Sequence, residues 1–377
     1  MVDYLIFLAI STAIFALFGL GLNLQWGFTG LINFGHIAFM TLGAYTTILL
    51  SLQGIPLLIS AVIGAVVAAL LGLIIGFATL RLREDYLAIV TIGTGELIRL
   101  VVNNQDLPVG DTWISGAFGV QSYTIPLSTE PNLAIRLVMI ALLTLLAAVT
   151  FFALWRWIRT AQKFLAADTS KKTGSKQELL SRLGVGIAFG LLTAAIYISG
   201  VIGLYNYNPK AGLMLLSLLV LAFVFWRLEI LVRSPWGRVL KAIREDEEIP
   251  KALGKNVFWY KVQSLMLGGA IAGVAGAFFA WQLSAIYPDN FQPQLTFDAW
   301  IMVILGGSGN NIGTILGAVI YFAYDAITRE VLPRIIPLDE ARLGAFRIMV
   351  IGLILMVLMV WRPQGILGKK EELTLGK

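Results

Sequence analysis

Apolar runs of about 20 residues follow one another along most of the chain, each long enough to cross a bilayer as a helix. They fall at roughly Tyr4 to Leu24, Pro56 to Leu80, Tyr86 to Val102, Asn132 to Leu154, Gly184 to Tyr205, Ala211 to Val232, Val262 to Leu283 and Ala345 to Trp361. Two further segments are apolar but punctuated by glycine: residues 25–50, and residues 298–328 with Gly306-Gly307-Ser308-Gly309-Asn310-Asn311 in their middle. Within the runs the apolar positions are continuous rather than alternating, which predicts helices and not the strands of a barrel. The expected fold is an all-α polytopic membrane protein with about 9–10 membrane segments, read as one transmembrane domain over residues 1–377.

The polar stretches between the runs give the orientation. Residues 81–85, 155–182, 233–261 and 362–377 hold 20 of the 28 Lys and Arg residues, so these four should be cytoplasmic. Residues 103–131 and 284–297 hold none and should face outward. Parity then constrains the chain between 297 and 362: a single crossing at 298–328 would leave the last span ending outside. The segment must dip in and return, breaking at Gly306 to Asn311, and the N-terminus should lie outside. MVDYLIFLAI has no early Lys or Arg and is read as a span rather than a cleaved signal peptide. Residues 155–182, net +5, read as a basic, solvated cytoplasmic insert attracted to anionic membrane lipid.

Residues 233–261 form a charged elbow between two spans. Ser234 followed by Pro235 is a helix start signal, with the hydroxyl expected to cap. Trp236, Val239, Leu240 and Ile243 recur on one helical face. Pro250 disfavours helix at Ile249 and is expected to open a second short turn that stops at Gly254. Asn256 is expected to cap the following helix. An amphipathic helix, a kink and a second small helix suggest a docking device.

Composition limits the chemistry. The chain is 58% apolar and 13% charged, against about 25% charged in soluble domains, so its net charge of +6 reflects membrane bias rather than nucleic-acid binding. There is no cysteine, and His36 is the single histidine, so no thiolate chemistry or His-based metal cluster is expected. No phosphate-binding loop and no catalytic triad or paired-carboxylate arrangement stands out, which argues against an enzyme. The two Gly-rich breaks, Gly27 to Gly35 and Gly306 to Gly313, are read either as backbone lining a transport path between inverted repeats or as sites of close helix packing. Candidate path residues are Asn33, Gly35, His36, Gly306, Gly307, Ser308 and Gly309. Glu96 with Arg99, and Asp325 with Arg329, are spaced for ion pairs along one helix.

Three blocks are similar to a known family: GLNLQWGFTGLINFGHIAFMTLGAYT (21–46), LRLREDYLAIVTIGTGELIRLVVNN (80–104) and SPWGRVLKAIREDEEIPKALGKNVFWYK (234–261). With WIMVILGGSGNNIGTILGA and WRPQGILG, they resemble the membrane subunits of ABC importers for branched-chain and neutral amino acids, the LivM-like group; residues 25–53 look like the cyanobacterial neutral amino acid systems. The resemblance implies a bacterial plasma (inner) membrane permease subunit that works with a second, related permease subunit, two cytoplasmic ATPase subunits and a periplasmic substrate-binding protein. It implies no cofactor in this chain, with ATP and Mg bound by the ATPases. It also implies that the elbow couples to the ATPases through Ala242, Ile243, Arg244, Glu245, Asp246, Glu247, Ala252, Leu253 and Gly254. A urea or short-amide importer subunit, a stand-alone secondary transporter and a scaffold subunit are the alternatives.

Overall fold

The computed structural model describes residues 1–80, 84–167, 172–335 and 339–368. Helices dominate: α1 Val2–Leu22, α2 Ile37–Leu52, α3 Leu57–Thr79, α4 Glu84–Asn104, α5 Leu133–Ala167, α6 Lys172–Tyr205 and α7 Pro209–Arg233. The elbow holds α8 Pro235–Glu245 and α9 Glu248–Ala252, followed by α10 Val257–Leu283, α11 Gln294–Gly306, α12 Asn311–Ile335 and α13 Glu340–Trp361. Among the described residues seven helices are long and apolar enough to cross a membrane, and α11 with α12 adds a bent pair, turning by 118° at its break. The reversal falls at the Gly-rich segment, where the parity of the charged loops predicts it. The chain is a multi-pass membrane protein built almost wholly of helices.

Contacts divide the chain into two units, residues 1–10 with 127–219 and residues 11–126 with 220–377. In the first, α5 and α6 run as a pair, and Gly200 faces the side chains of Leu143 and Met214. Arg136 ties its polar end: it donates to the carbonyls of Pro131 and Tyr205 at 3.0 Å each, pairs with Glu130 and lies over the Tyr207 ring at 5.3 Å. Within the stretch 155–182, residues 155–167 and 172–182 are helical rather than the loop expected. α5 runs on to Ala167 and α6 begins at Lys172, with residues 168–171 outside the described set. The stretch is rich in Ala, Leu, Lys, Arg and Gln and has no proline, a composition that favours helix in both described parts.

In the second unit α2, α3 and α10 pack at very short range. A Cβ at Gly43 would collide with the backbone of Gly273, one at Gly276 with the Met40 carbonyl, and one at Gly72 with the backbone of Leu265. In lipid, helix association depends on such close contact, because apolar burial alone does not favour protein over hydrocarbon. The glycines of α10 thus serve packing. α2 begins at residues that are already buried, Ile37 to Met40. The segment before it, Gly30 to Gly35, is non-helical and alternates half-buried and buried positions, with Leu31, Asn33 and Gly35 turned inward.

The loops at 103–131 and 284–297 carry short strands. β1 Asp106–Val109 pairs with β2 Thr112–Ser115, and β3 Val120–Gln121 pairs with β4 Ala285–Ile286. Tyr123 donates to the Ala280 carbonyl at 2.5 Å, and burial pushes its phenol pKa upward, which keeps it a donor. Arg99 bonds Glu96 at 2.5 Å, as its spacing predicts, and reaches Asp289 of the opposite loop at 2.8 Å. Asp325 and Arg329 also pair, at 2.7 Å.

Candidate functional site

The elbow divides into two parts with opposite surroundings. α8 starts after Ser234, whose backbone is extended and whose hydroxyl makes no cap. That hydroxyl bonds back to the Leu231 carbonyl at 2.6 Å, so it closes the end of α7 instead. The apolar stripe of α8 points into the chain. Leu240 and Ile243 are buried, and Leu240 joins a cluster with Leu20, Leu24, Phe28, Leu228 and Val232, with Trp236 packed against it. Trp236 also donates its indole N–H to Gln263 at 2.7 Å. Ala242 is half-buried, and Glu245 is exposed at the helix end.

α9 is the exposed part. Asp246 accepts the backbone N–H of Glu248 at 2.9 Å, and the half-buried Glu247 pairs with Lys261 at the start of α10. Pro250 does not open this helix as expected; α9 begins two residues earlier, and Ile249 is helical. In the first turn of a helix the missing proline N–H costs nothing, because that donor has no intrahelical partner. Pro250 is buried, whereas Ile249 is 56% and Leu253 74% exposed. Ala252 is exposed as well, and Gly254 closes the turn at φ +72°, a backbone region that glycine enters freely. Asn256 caps α10 as expected, accepting from the Trp259 N–H at 3.3 Å.

The early break begins as a π-helical turn, Asn23–Phe28, and ends at α2. Asn33 is fully buried; it donates to Gln25 at 2.9 Å, accepts the Gly35 N–H at 2.9 Å, and its carbonyl accepts the Trp300 indole N–H at 3.2 Å. Gly35 lies so close to Thr91 that a Cβ would collide with the Thr91 carbonyl. His36 is also buried, between the rings of Phe18 and Phe39, with Nε2 3.2 Å from the Phe18 carbonyl oxygen.

In the late break, Gly306 abuts Gly313, and Gly307 at φ +114° lies against Gly365 and Gly368. The two breaks meet at their polar ends. The Gly309 N–H donates to Asn23 Oδ1 at 2.9 Å, and Asn23 Nδ2 donates to Asn311 Oδ1 at 3.2 Å. Asn311 in turn reaches Glu229 of α7 at 3.2 Å. Ser308 accepts from Arg244 of α8 at 3.4 Å, and the same guanidinium donates to the Gly27 carbonyl. The structure therefore brings Arg244, Ser308 and Gly309 together, while Asn33, Gly35 and His36 lie further along the early break. Sequence reasoning missed Asn23, Gln25 and Asn311 as organisers. The available signal was that of amides set in apolar runs, which need partners there.

Together, helices apolar enough to span a membrane, a broken span and an exposed elbow describe a polytopic membrane protein. A family profile described as branched-chain amino acid transport system / permease component matches residues 4–359, and this chain belongs to that family. The high-affinity branched-chain amino acid transport system permease protein LivM of Escherichia coli is 29% identical over 96% of this chain and 69% of its own length. A probable branched-chain amino acid transport permease protein LivM of Methanocaldococcus jannaschii is 29% identical over 43% of this chain and 47% of that protein. The permease protein BraD of Pseudomonas aeruginosa is 29% identical over 37% and 42% respectively. No solved structure matches the chain.

Proposed function

We propose that this chain forms half of the substrate path of an ABC importer for branched-chain and neutral amino acids in the plasma membrane. The observation that carries this reading is the family match over residues 4–359. The relatives' names favour branched-chain amino acids over urea or short amides. A second, related permease subunit completes the path, and a periplasmic binding protein delivers the substrate. Two ATPase subunits bind ATP and Mg and carry out hydrolysis; this chain supplies no catalytic group.

The elbow contacts the ATPase. What supports this is the exposed Ile249 and Leu253, which offer apolar anchors for a groove. Substrate passes along the two breaks, with Asn33, Gly35, His36 and Gly306 to Gly309 as the path candidates. Purification of the chain from its native membrane tests the reading. An ATPase pair and a soluble protein that binds leucine should accompany it, and vesicles holding the assembly should take up leucine on ATP addition. Uptake driven by an ion gradient without any ATPase would overturn the proposal.

A further inference from the structure

Arg244 reaches both breaks from the last turn of α8. One guanidinium nitrogen donates to the Gly27 carbonyl and the other lies 3.4 Å from Ser308 Oγ. The Gly27 carbonyl belongs to the π-helical turn Asn23–Phe28, where the regular hydrogen-bond ladder is loosened and an outside donor can enter. The planar fork of arginine suits two acceptors at once, which a lysine ammonium on a flexible stem does not match.

Three further ties surround this contact. Asn23, fully buried, joins the π-turn to Gly309 and Asn311. The C-terminal segment clasps the end of α11 through Ile366 N–H to the Leu305 carbonyl and Leu367 N–H to the Gly306 carbonyl, each at 3.0 Å. Asn310 then donates to the Leu367 carbonyl at 2.8 Å. The π-turn, both ends of the late break and the C-terminal segment are thus bonded to one another, and α8 is fastened to them through Arg244.

We infer that Arg244 is a positioning residue that locks the elbow to both breaks, so that a push on the elbow moves the two breaks as one body. The inference rests on the coupling role proposed above. It assigns Arg244 to contacts within this chain, whereas the exposed tip at Ile249 and Leu253 is left for the ATPase.

The chain has no cysteine, so spin labels can be placed at Arg238→Cys on α8 and Ile312→Cys on α12, both exposed positions, in the full complex in vesicles. The expected result is one distance, the same without nucleotide and in an ATP-trapped state. With Arg244→Ala added, the distance should broaden or shift between states, and the ATP hydrolysed per leucine imported should rise severalfold. Arg244→Lys should fall between, because it keeps a single contact. A label distance that changes between states with Arg244 present, or an unchanged ATP-per-leucine ratio in Arg244→Ala, would overturn the inference. If the unmutated complex recruits no ATPase, the functional reading fails first, and the inference falls with it.

Discussion

The two helices of the elbow contain the same kinds of residue and use them in opposite directions. α8 turns Leu240 and Ile243 into its own chain, where Leu240 is completely buried, while α9 leaves Leu253 74% exposed. An apolar stripe on a helix shows that something covers it, but not whether that cover is the same chain or a partner. Here α8 is the shaft, held by Leu20, Leu24, Phe28, Leu228 and Val232, and α9 is the tip. The ATPase contact is therefore sought at five or six tip residues rather than along the whole amphipathic stretch.

Several substitutions break or sharpen this contrast. The largest effect is expected from Leu240→Ala, which should lower unfolding stability by about 2–5 kcal/mol, as deletion of a fully packed leucine does; thermal unfolding of the purified chain in detergent measures it. Asn23→Ala should cost about 1–3 kcal/mol, because it strands the Gly309 N–H and removes the donor to Asn311 Oδ1. The same unfolding assay, with Asn311→Ala as a second arm, tests whether the two losses overlap as expected for one network. Asn256→Ala removes an observed cap and should cost about 1 kcal/mol. Ser234→Ala should cost about 0.5–1.5 kcal/mol, through the lost bond to the Leu231 carbonyl rather than through a cap on α8.

Much of this architecture is legible in the sequence because bilayer thickness fixes the length of an apolar run and lysine and arginine mark the cytoplasmic side. Those two facts require a reversal between 297 and 362, and the run of glycines places it at Gly306 to Asn311. Other features depend on contacts that no local pattern encodes. Ser234 carries the residue type and the following proline of a cap, yet its hydroxyl finds the Leu231 carbonyl first. Pro250 reads as a helix opener, but it sits inside the first turn. The short strands at 106–115 and at 120–121 with 285–286 are too brief to show a period. Residues 155–182 look like a loop by charge, yet 155–167 and 172–182 are helical, in keeping with their helix propensity. The amides Asn23, Gln25 and Asn311 matter through partners up to 288 positions away, a relation that spacing cannot reveal.

The central claim is that the α9 tip, and not the α8 stripe, meets the ATPase. Leu253→Asp tests it most directly, because the side chain is exposed and its replacement should change stability by no more than about 0.5 kcal/mol. The measurement is ATPase recovered with the affinity-purified chain, with the unfolding midpoint of the same sample as control. The account predicts a stable chain that no longer retains the ATPase. A stable chain carrying the full amount of ATPase would contradict it.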